Sequence, residues 1–330
     1  MTFFHNNCFV LMKIIGKYIL TFLLTIFCFA GFAQQEDWTW WNELAHWDGQ
    51  TPWQYYYTYS PRYFGPNAFP VPKMGDGKVP EKLVVDAAVE QYWGFGDNAT
   101  DLNLRVDIPL YPKYVNLAVW MVPVEYYNTS IRVRNERLMR TKVPRGFAVG
   151  DVYIQTGIQI LRDRPKAPDI MVNLSMKTAP GGPLAAARYY DTPGYFFDAT
   201  IGKTFLFEKP KHLRSIAISG RVGFLCWQSI RADHSMQDDA VIYGVRLAMN
   251  TNHWQYEMDF SGYQGWEHNG DCPMVLRGQV CRSFKKGNAL YFGGLLGFQD
   301  YRYYAVSVGY RFSTEVKLFE RKKKDKTSGG

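Results

Sequence analysis

The stretch Tyr303–Phe312, YYAVSVGYRF, alternates strictly between two kinds of side chain. Successive side chains of a β-strand point to opposite faces, so the even-numbered residues share one face and the odd-numbered residues the other. The even face is wholly apolar or aromatic, whereas the odd face mixes small, polar and charged groups. A chain built from such segments must bury one whole face of a sheet, and the fold depends on the solvent that receives it.

The same period of two recurs in twelve segments of about ten residues from Lys82 onward. The clearest are 102–110, 152–160, 170–176 and 254–261, and weaker ones begin near Leu83, Val115, Tyr195, Ile216, Val241, Met274 and Leu290. Short connections alternate with generally longer ones, which is typical of outer-membrane barrels with short periplasmic turns and long external loops. The pattern predicts an all-β fold: a transmembrane antiparallel up-and-down β-barrel of twelve strands, preceded by an aromatic, Pro-rich N-terminal segment.

A soluble β-sandwich would also alternate, so the choice depends on other features. The apolar face runs the length of most strands and turns aromatic toward their ends, at Trp254, Phe298, Tyr310 and Phe312, as interfacial girdles do. The stretch ending at Phe312 also resembles the terminal-strand assembly signal of outer-membrane barrels. That resemblance implies recognition by the barrel-assembly machinery through Tyr310 and Phe312, and outer-membrane lipid and lipopolysaccharide as surroundings.

Residues 1–33 have the pattern of a secretory signal peptide. Lys13 and Lys17 precede an apolar run, and Gly31 and Ala33 supply small residues just before Gln34. The uncharged run ends too soon for the roughly 20 residues that a spanning helix needs. We therefore expect export and cleavage, followed by an N-terminal segment (34–81), a barrel (82–312) and a basic periplasmic tail (313–330).

Residues 34–81 are dense in Trp and Tyr and interrupted by Pro and Gly, which excludes a continuous strand or a long helix. Two interpretations follow. The favoured one is a periplasmic segment packed on itself or on the lower rim of the barrel. The other is a plug inside the lumen or a docking arm for a periplasmic partner.

The strand phases place twelve charged side chains on the inward face. Charges facing lipid are costly, so their shared phase supports the barrel assignment. They either pair across a narrow interior and fill it, or line a hydrated channel that orients a polar solute. They are Asp86, Glu90, Arg105, Asp107, Lys177, Asp198, Arg221, Arg246, Glu257, Asp259, Arg277 and Arg311.

The connection 128–149 is the most basic loop of the chain. Folded into the mouth it would form a constriction that attracts anions, and lying outward it would bind lipopolysaccharide phosphates. The third alternative is a solvated surface loop. Its bases are Arg132, Arg134, Arg137, Arg140, Lys142 and Arg145.

Catalytic and metal-binding patterns are weak. His234 and Ser235 stand among acidic residues, but adjacent loop residues rarely adopt Ser–His geometry. We therefore predict no catalytic residue, no metal and no cofactor. Much of the net charge of +8 lies in the signal and the tail, which argues against a nucleic-acid partner. A disulfide between Cys226 and Cys272 is compatible with the sequence but is not required by it.

The stretch Gly150–Gly182 resembles the outer-membrane transporters of the phenol-degradation-pathway family. It shares a strand led by Gly150-Asp151 and a second strand that ends in Lys177-Thr-Ala-Pro180-Gly181. The signal exit and basic tail resemble exported barrels of Bacteroidetes-type Gram-negative bacteria. These resemblances imply an outer-membrane channel-like protein and name no substrate. From the inward charges and the basic loop we predict an outer-membrane porin-like channel or passive transporter for small polar or anionic solutes. The alternatives are an occluded structural or partner-docking barrel and a lipid-modifying barrel enzyme.

Overall fold

The computed structural model describes residues 37–179, 182–207, 212–229, 236–284 and 287–316. Two short α-helices, α1 (Thr39–Ala45) and α2 (Ile131–Glu136), and two 3-10 turns, Trp53–Tyr56 and Leu184–Ala186, accompany the strands. None of the helices in these ranges is long and apolar enough to cross a membrane. The strands are β1 (Leu83–Gly94), β2 (Asp97–Tyr111), β3 (Val115–Thr129), β4 (Arg145–Ala148), β5 (Tyr153–Leu161), β6 (Asp169–Lys177), β7 (Gly194–Leu206), β8 (Leu213–Ser229), β9 (Met236–Thr251), β10 (Trp254–Gly265), β11 (Pro273–Ser283), β12 (Ala289–Gln299) and β13 (Tyr303–Thr314).

The sheet closes on itself. Each barrel strand pairs antiparallel with its neighbours, and the first strand meets the last, with Leu83 opposite Thr314 and Gly94 opposite Tyr303. Closure leaves the barrel without a free edge and satisfies its backbone within the sheet. The predicted twelve-stranded antiparallel barrel is therefore confirmed, with each predicted segment forming one of its strands.

The short strand β4 is the additional one. It pairs with the upper part of β3, where Ala148 lies opposite Glu125, while β5 pairs with the lower part, where Tyr153 lies opposite Trp120. The two pairs have the same spacing along both strands, so β4 and β5 continue one register across the interruption at 149–152. Sequence alternation alone did not reveal β4.

The two rims of the barrel differ. The turn end carries Leu83, Thr314 and connections such as that between Tyr111 and Val115. The loop end carries the two longest connections, between β3 and β5 and between β6 and β7. We use these two names, turn end and loop end, below.

The apolar face of the strands points out of the barrel. In β13, Tyr304 and Val306 are each 52% exposed, whereas Tyr303 and Ala305 on the other face are 3% exposed. The same alternation appears in β10, where Trp254, Tyr256, Met258 and Phe260 are exposed. The packed hydrophobic core therefore lies inside the barrel.

Residues 53–80 lie within the barrel, and we call them the inner segment. Its first part, the cap (53–69), packs in the aromatic core with side chains of the loop end. Its second part, the strap (70–80), is without regular secondary structure and follows the wall toward Leu83. These residues contact inward-facing side chains of the barrel strands, among them Arg221 and Arg277. The barrel donors that hold them are far away in sequence, so composition could not reveal this packing.

Candidate functional site

A cavity of about 410 Å³ lies between the strap and the barrel wall. Side chains from strands around the barrel line it, together with strap residues from Pro70 to Pro80. Ten of the twelve charges that the sequence assigns to the interior line this cavity, and Lys177 and Arg246 are buried elsewhere in the wall. The ten are Asp86, Glu90, Arg105, Asp107, Asp198, Arg221, Glu257, Asp259, Arg277 and Arg311.

Most of these charges pair with a neighbour on the wall. Arg311 Nε lies 3.0 Å from Asp86 Oδ2 across the seam between β13 and β1. Arg105 Nε lies 2.7 Å from Asp107 Oδ2 on the same strand. Such pairing offsets part of the cost of removing the charges from bulk water.

Three further pairs follow the same rule. Arg277 Nη1 lies 3.1 Å from Asp259 Oδ1, and Arg246 Nη2 lies 2.9 Å from Glu257 Oε1. Lys177 Nζ lies 2.8 Å from Asp151 Oδ2 with both side chains fully buried. The alternation of the strands did not mark Asp151 as an inward charge, because this residue lies in the interruption between β4 and β5. The cavity wall thus carries charges of both signs, most of which are paired locally.

The remaining donors of the wall bind the strap through its backbone carbonyls. Arg277 Nη2 donates to Val71 O at 2.6 Å. Arg221 donates from Nη2 to Pro72 O at 2.7 Å and from Nη1 to Lys73 O at 2.9 Å. Arg221 and Arg277 therefore bind the strap of the same chain. The alternation of the strand sequence places these arginines inside the barrel but does not indicate this role.

The same pattern continues to the turn end. Ser219 Oγ donates to Gly75 O at 2.9 Å, and Gln159 Nε2 donates to Gly77 O at 2.8 Å. Arg162 Nη1 donates to Val79 O at 2.6 Å. The strap contains Pro70, Pro72 and Pro80, which have no N–H to donate, so the strap presents mainly acceptors and the wall supplies donors.

Glycine lets the strap approach the wall closely. A Cβ built on Gly202 would lie 2.3 Å from Asp76 O, a distance that real side chains do not adopt. Gly77 has φ +81°, which is left-handed backbone that favours glycine. A side chain at Gly202 would therefore collide with the strap.

Tyrosines hold the cap in the same way at the loop end. Tyr263, Tyr301 and Tyr303 donate through their hydroxyls to carbonyls of the cap at 3.1, 3.2 and 3.1 Å. Phe69 stacks on Tyr190 with ring centroids 4.3 Å apart. The loop end of the cavity is therefore covered by packed aromatic side chains.

A buried charged cluster lies beside the cap, and we call it the loop-end cluster. The fully buried guanidinium of Arg188 bridges Glu125 Oε1 at 2.5 Å and Asp97 Oδ2 at 2.7 Å. Arg137 Nη1 also lies 2.7 Å from Asp97 Oδ2, and Asn67 of the cap donates to Glu125 at 2.9 Å. Although burial disfavours its charge, Asp97 and Glu125 raise the pKa of Arg188 well above its usual value. The cluster ties the cap to both long connections of the loop end.

The six bases of the 128–149 connection do not form a ring in the cavity. Arg132 and Arg134 lie in helix α2, which is capped by the Ser130 side chain, and the other four bases follow the helix. None of the six is among the residues that line the cavity. Arg132 and Arg137 border a separate recess of about 40 Å³. In order, Arg132 donates to Phe95 O, Arg134 donates to Lys142 O, Arg137 pairs with Asp97, Arg140 lies over Trp53, and Lys142 and Arg145 are exposed.

The remaining sequence candidates are the cysteines, the metal ligands and the pair His234 and Ser235. Cys226, Cys272 and Cys281 are free thiols, so the Cys226–Cys272 bridge is absent from the structure. Among the described residues no group of three or more His, Cys, Asp or Glu could hold a metal ion. His234, Ser235, the signal peptide (1–33) and most of the basic tail lie outside the described residues.

No family model and no curated protein matches the chain. Among solved structures, an outer-membrane channel from Pseudomonas putida F1 shares 12% identity over 74% of this chain and 100% of its own, with a TM-score of 0.53. The NanC porin (9% identity, 69% of this chain, 98% of its own, TM-score 0.46) and the KdgM porin in complex with disordered oligogalacturonate (9%, 70%, 99%, 0.43) are more distant in shape. The first likeness shows that this chain shares the fold of an outer-membrane barrel.

Proposed function

We propose that the protein is an outer-membrane channel for small polar or anionic solutes, with an inner segment that closes its loop end. The carrying observation is a cavity of about 410 Å³ lined by charges of both signs inside a closed twelve-stranded barrel. A volume of this size accommodates one small solute. Passage past the cap requires the cap to move.

The outward face supports placement in a membrane. Residues such as Val222, Val245 and Phe292 are 57–60% exposed although they are apolar. In water this belt would be a large exposed apolar surface, whereas acyl chains would cover it. Export through a cleaved signal at residues 1–33 into a Gram-negative outer membrane, with the exposed Lys142 and Arg145 near lipopolysaccharide, is part of the same proposal.

The charge pattern of the cavity suggests weak selectivity. Arg311, Arg105 and Arg277 each have a carboxylate within 3.1 Å, so little net field remains to exclude either sign. We expect polar solutes to pass because the wall offers hydrogen-bond partners. Lys73, which lines the cavity and is exposed, offers a cationic group to an anionic part of the solute.

A second candidate function is an occluded barrel that serves as a structural or docking protein. The observation that favours it is the buried loop-end cluster, in which Arg188 is fully buried between two carboxylates. Such a cluster is suited to permanent closure.

Conductance separates the two functions. Purified protein is placed in planar bilayers beside a variant that lacks residues 53–78, with heat-modifiable migration to establish that each barrel is folded. A channel predicts infrequent steps for the full chain and frequent, larger steps for the variant. Silence from both folded proteins would reject the channel and favour the occluded barrel.

A further inference from the structure

The inner segment contacts the long connections of the loop end at its beginning. Tyr57 donates through its hydroxyl to Ala185 O at 2.8 Å and accepts from Arg140 N at 2.8 Å. Ala185 lies in the β6–β7 connection and Arg140 in the β3–β5 connection. Residues 53–57 therefore lie at the loop end.

The later contacts of the inner segment move steadily down the wall. Phe64 O accepts from Tyr303, the first residue of β13, and Val71 O accepts from Arg277 within β11. Glu81 then pairs with Arg162 Nη2 at 2.6 Å, in the connection between β5 and β6 at the turn end. Two residues later Leu83 begins β1 opposite Thr314. The segment thus runs the full height of the barrel interior.

The chain just before the inner segment forms an exposed turn. Gln50 N and Thr51 N donate to Asp48 Oδ1 at 2.9 and 2.8 Å, and Asp48 N donates to Tyr56 Oη at 3.3 Å. Asp48, Gly49 and Gln50 are exposed. The turn is joined to Trp53–Tyr57, so it belongs to the loop end as well.

We infer that the chain crosses the barrel through its own lumen, so that residues 48–51 are displayed on the loop face, opposite the face where β13 ends. An even number of strands places the first and last barrel residues, Leu83 and Thr314, on the same side of the barrel. Because the inner segment runs from one rim to the other, the turn at 48–51 lies on the opposite side from Leu83. With the proposed membrane orientation, on which this step rests, the turn at 48–51 is presented outside the cell beside the long loops and is accessible to external macromolecules.

Cysteine labelling on intact cells tests this topology. Single cysteines are introduced by Gln50→Cys, Lys142→Cys and Glu315→Cys in a background in which all five native cysteines are replaced, by Cys8→Ser, Cys28→Ala, Cys226→Ala, Cys272→Ser and Cys281→Ala. Lys142 and Glu315 are exposed markers of the loop face and the turn face. Folding of each variant is checked by heat-modifiable migration, and a membrane-impermeant maleimide is the probe.

The inference predicts that Gln50→Cys is labelled together with Lys142→Cys before permeabilisation, whereas Glu315→Cys is labelled only afterwards. Labelling of Gln50→Cys together with Glu315→Cys would overturn it. If Glu315→Cys reacts before permeabilisation and Gln50→Cys and Lys142→Cys react only afterwards, the crossing is upheld and the proposed membrane orientation is wrong. The two failures are therefore distinguishable.

Discussion

Arg277 and Val71 are 206 residues apart in the chain, yet the guanidinium of one donates to the carbonyl of the other at 2.6 Å inside the barrel. This contact is one member of a series in which wall donors meet successive strap carbonyls. A charged donor that loses such an acceptor remains buried with an unsatisfied group. The strap is therefore bound to the inner wall of the barrel through its backbone carbonyls.

Loss of one of these donors should loosen the strap. Arg221→Ala removes two hydrogen bonds to Pro72 O and Lys73 O, each worth about 1.5–3 kcal/mol when the donor is charged. We expect more frequent channel openings and faster protease cleavage of the strap. The matched control is Arg246→Ala, which removes a wall arginine paired with Glu257. Equal behaviour of the two variants would contradict the role given to Arg221.

A side chain at Gly202 should displace the strap without deleting it. A Cβ there lies 2.3 Å from Asp76 O, so Gly202→Leu forces the strap off the wall. We expect larger conductance steps in planar bilayers. Gly220→Leu is the control, since the nearest atom that its Cβ meets is 3.9 Å away. Unchanged steps in folded Gly202→Leu would show that the strap does not obstruct the path.

The loop-end cluster should be a major source of stability. Arg188→Met leaves Asp97 and Glu125 buried near each other with only Arg137 to compensate them, and breaking a buried pair costs about 3–5 kcal/mol. The free energy of unfolding, measured by urea titration in detergent, should fall accordingly. Arg302→Ala breaks an exposed pair with Glu136 and should cost less than about 1 kcal/mol. Similar losses for both would contradict the cluster's assigned importance.

Acid should release the turn-end anchor of the strap. Lys78 Nζ lies 2.7 Å from Asp163 Oδ1 and 3.3 Å from Asp169 Oδ2. The hydrogen bond from Lys78 lowers the pKa of Asp163. Burial disfavours the charge of Lys78, but the hydrogen bond to Asp163 and the charge of Asp169 raise the pKa of Lys78. A lowered carboxyl pKa gives stability that is present above the unfolded value of about 3.9 and is lost as the pH falls through the folded value.

Channel openings should therefore increase as the pH falls below about 3.9, modestly because Asp163 is exposed. Single-channel recording across this range measures the effect. Asp163→Asn should show frequent openings already at neutral pH and a flatter dependence. An Asp163→Asn variant with the same pH profile as the unaltered protein would contradict the anchor.

The barrel could be predicted from the sequence because its period of two is a local signal. Strands such as Trp254–Gly265 carry that signal in every second residue. The inward phase likewise locates Arg221 and Arg277 on the correct face, but phase cannot say what a side chain binds. Their partners are carbonyls of Val71, Pro72 and Lys73, groups that every residue possesses and that no sequence pattern marks.

The loop-end cluster escaped sequence reasoning for a related reason. Asp97 and Glu125 lie near strand ends, and Arg188 lies in a connection without periodicity. Only the closure of the barrel brings them together. The prolines at 70, 72 and 80 are a sequence signal for the strap, since they predict an extended chain that needs external donors.

The most direct test is a chemical cross-link between the strap and the inner wall. Ser219 Oγ lies 2.9 Å from Gly75 O, and a Cβ on Gly75 would meet nothing within 4 Å, so the two Cβ atoms are close but more than 4 Å apart. A short bifunctional thiol reagent with a reducible spacer should therefore join Gly75→Cys to Ser219→Cys, whereas the pair Gly75→Cys and Gly220→Cys, with the second cysteine on the adjacent outward-facing position, should not be joined. Cross-linking of the first pair alone, with channel openings that disappear on cross-linking and return when the spacer is reduced, is the predicted result. Failure of the reagent to join the first pair in the folded barrel, or equal cross-linking of both pairs, would contradict an inner segment held within a closed barrel.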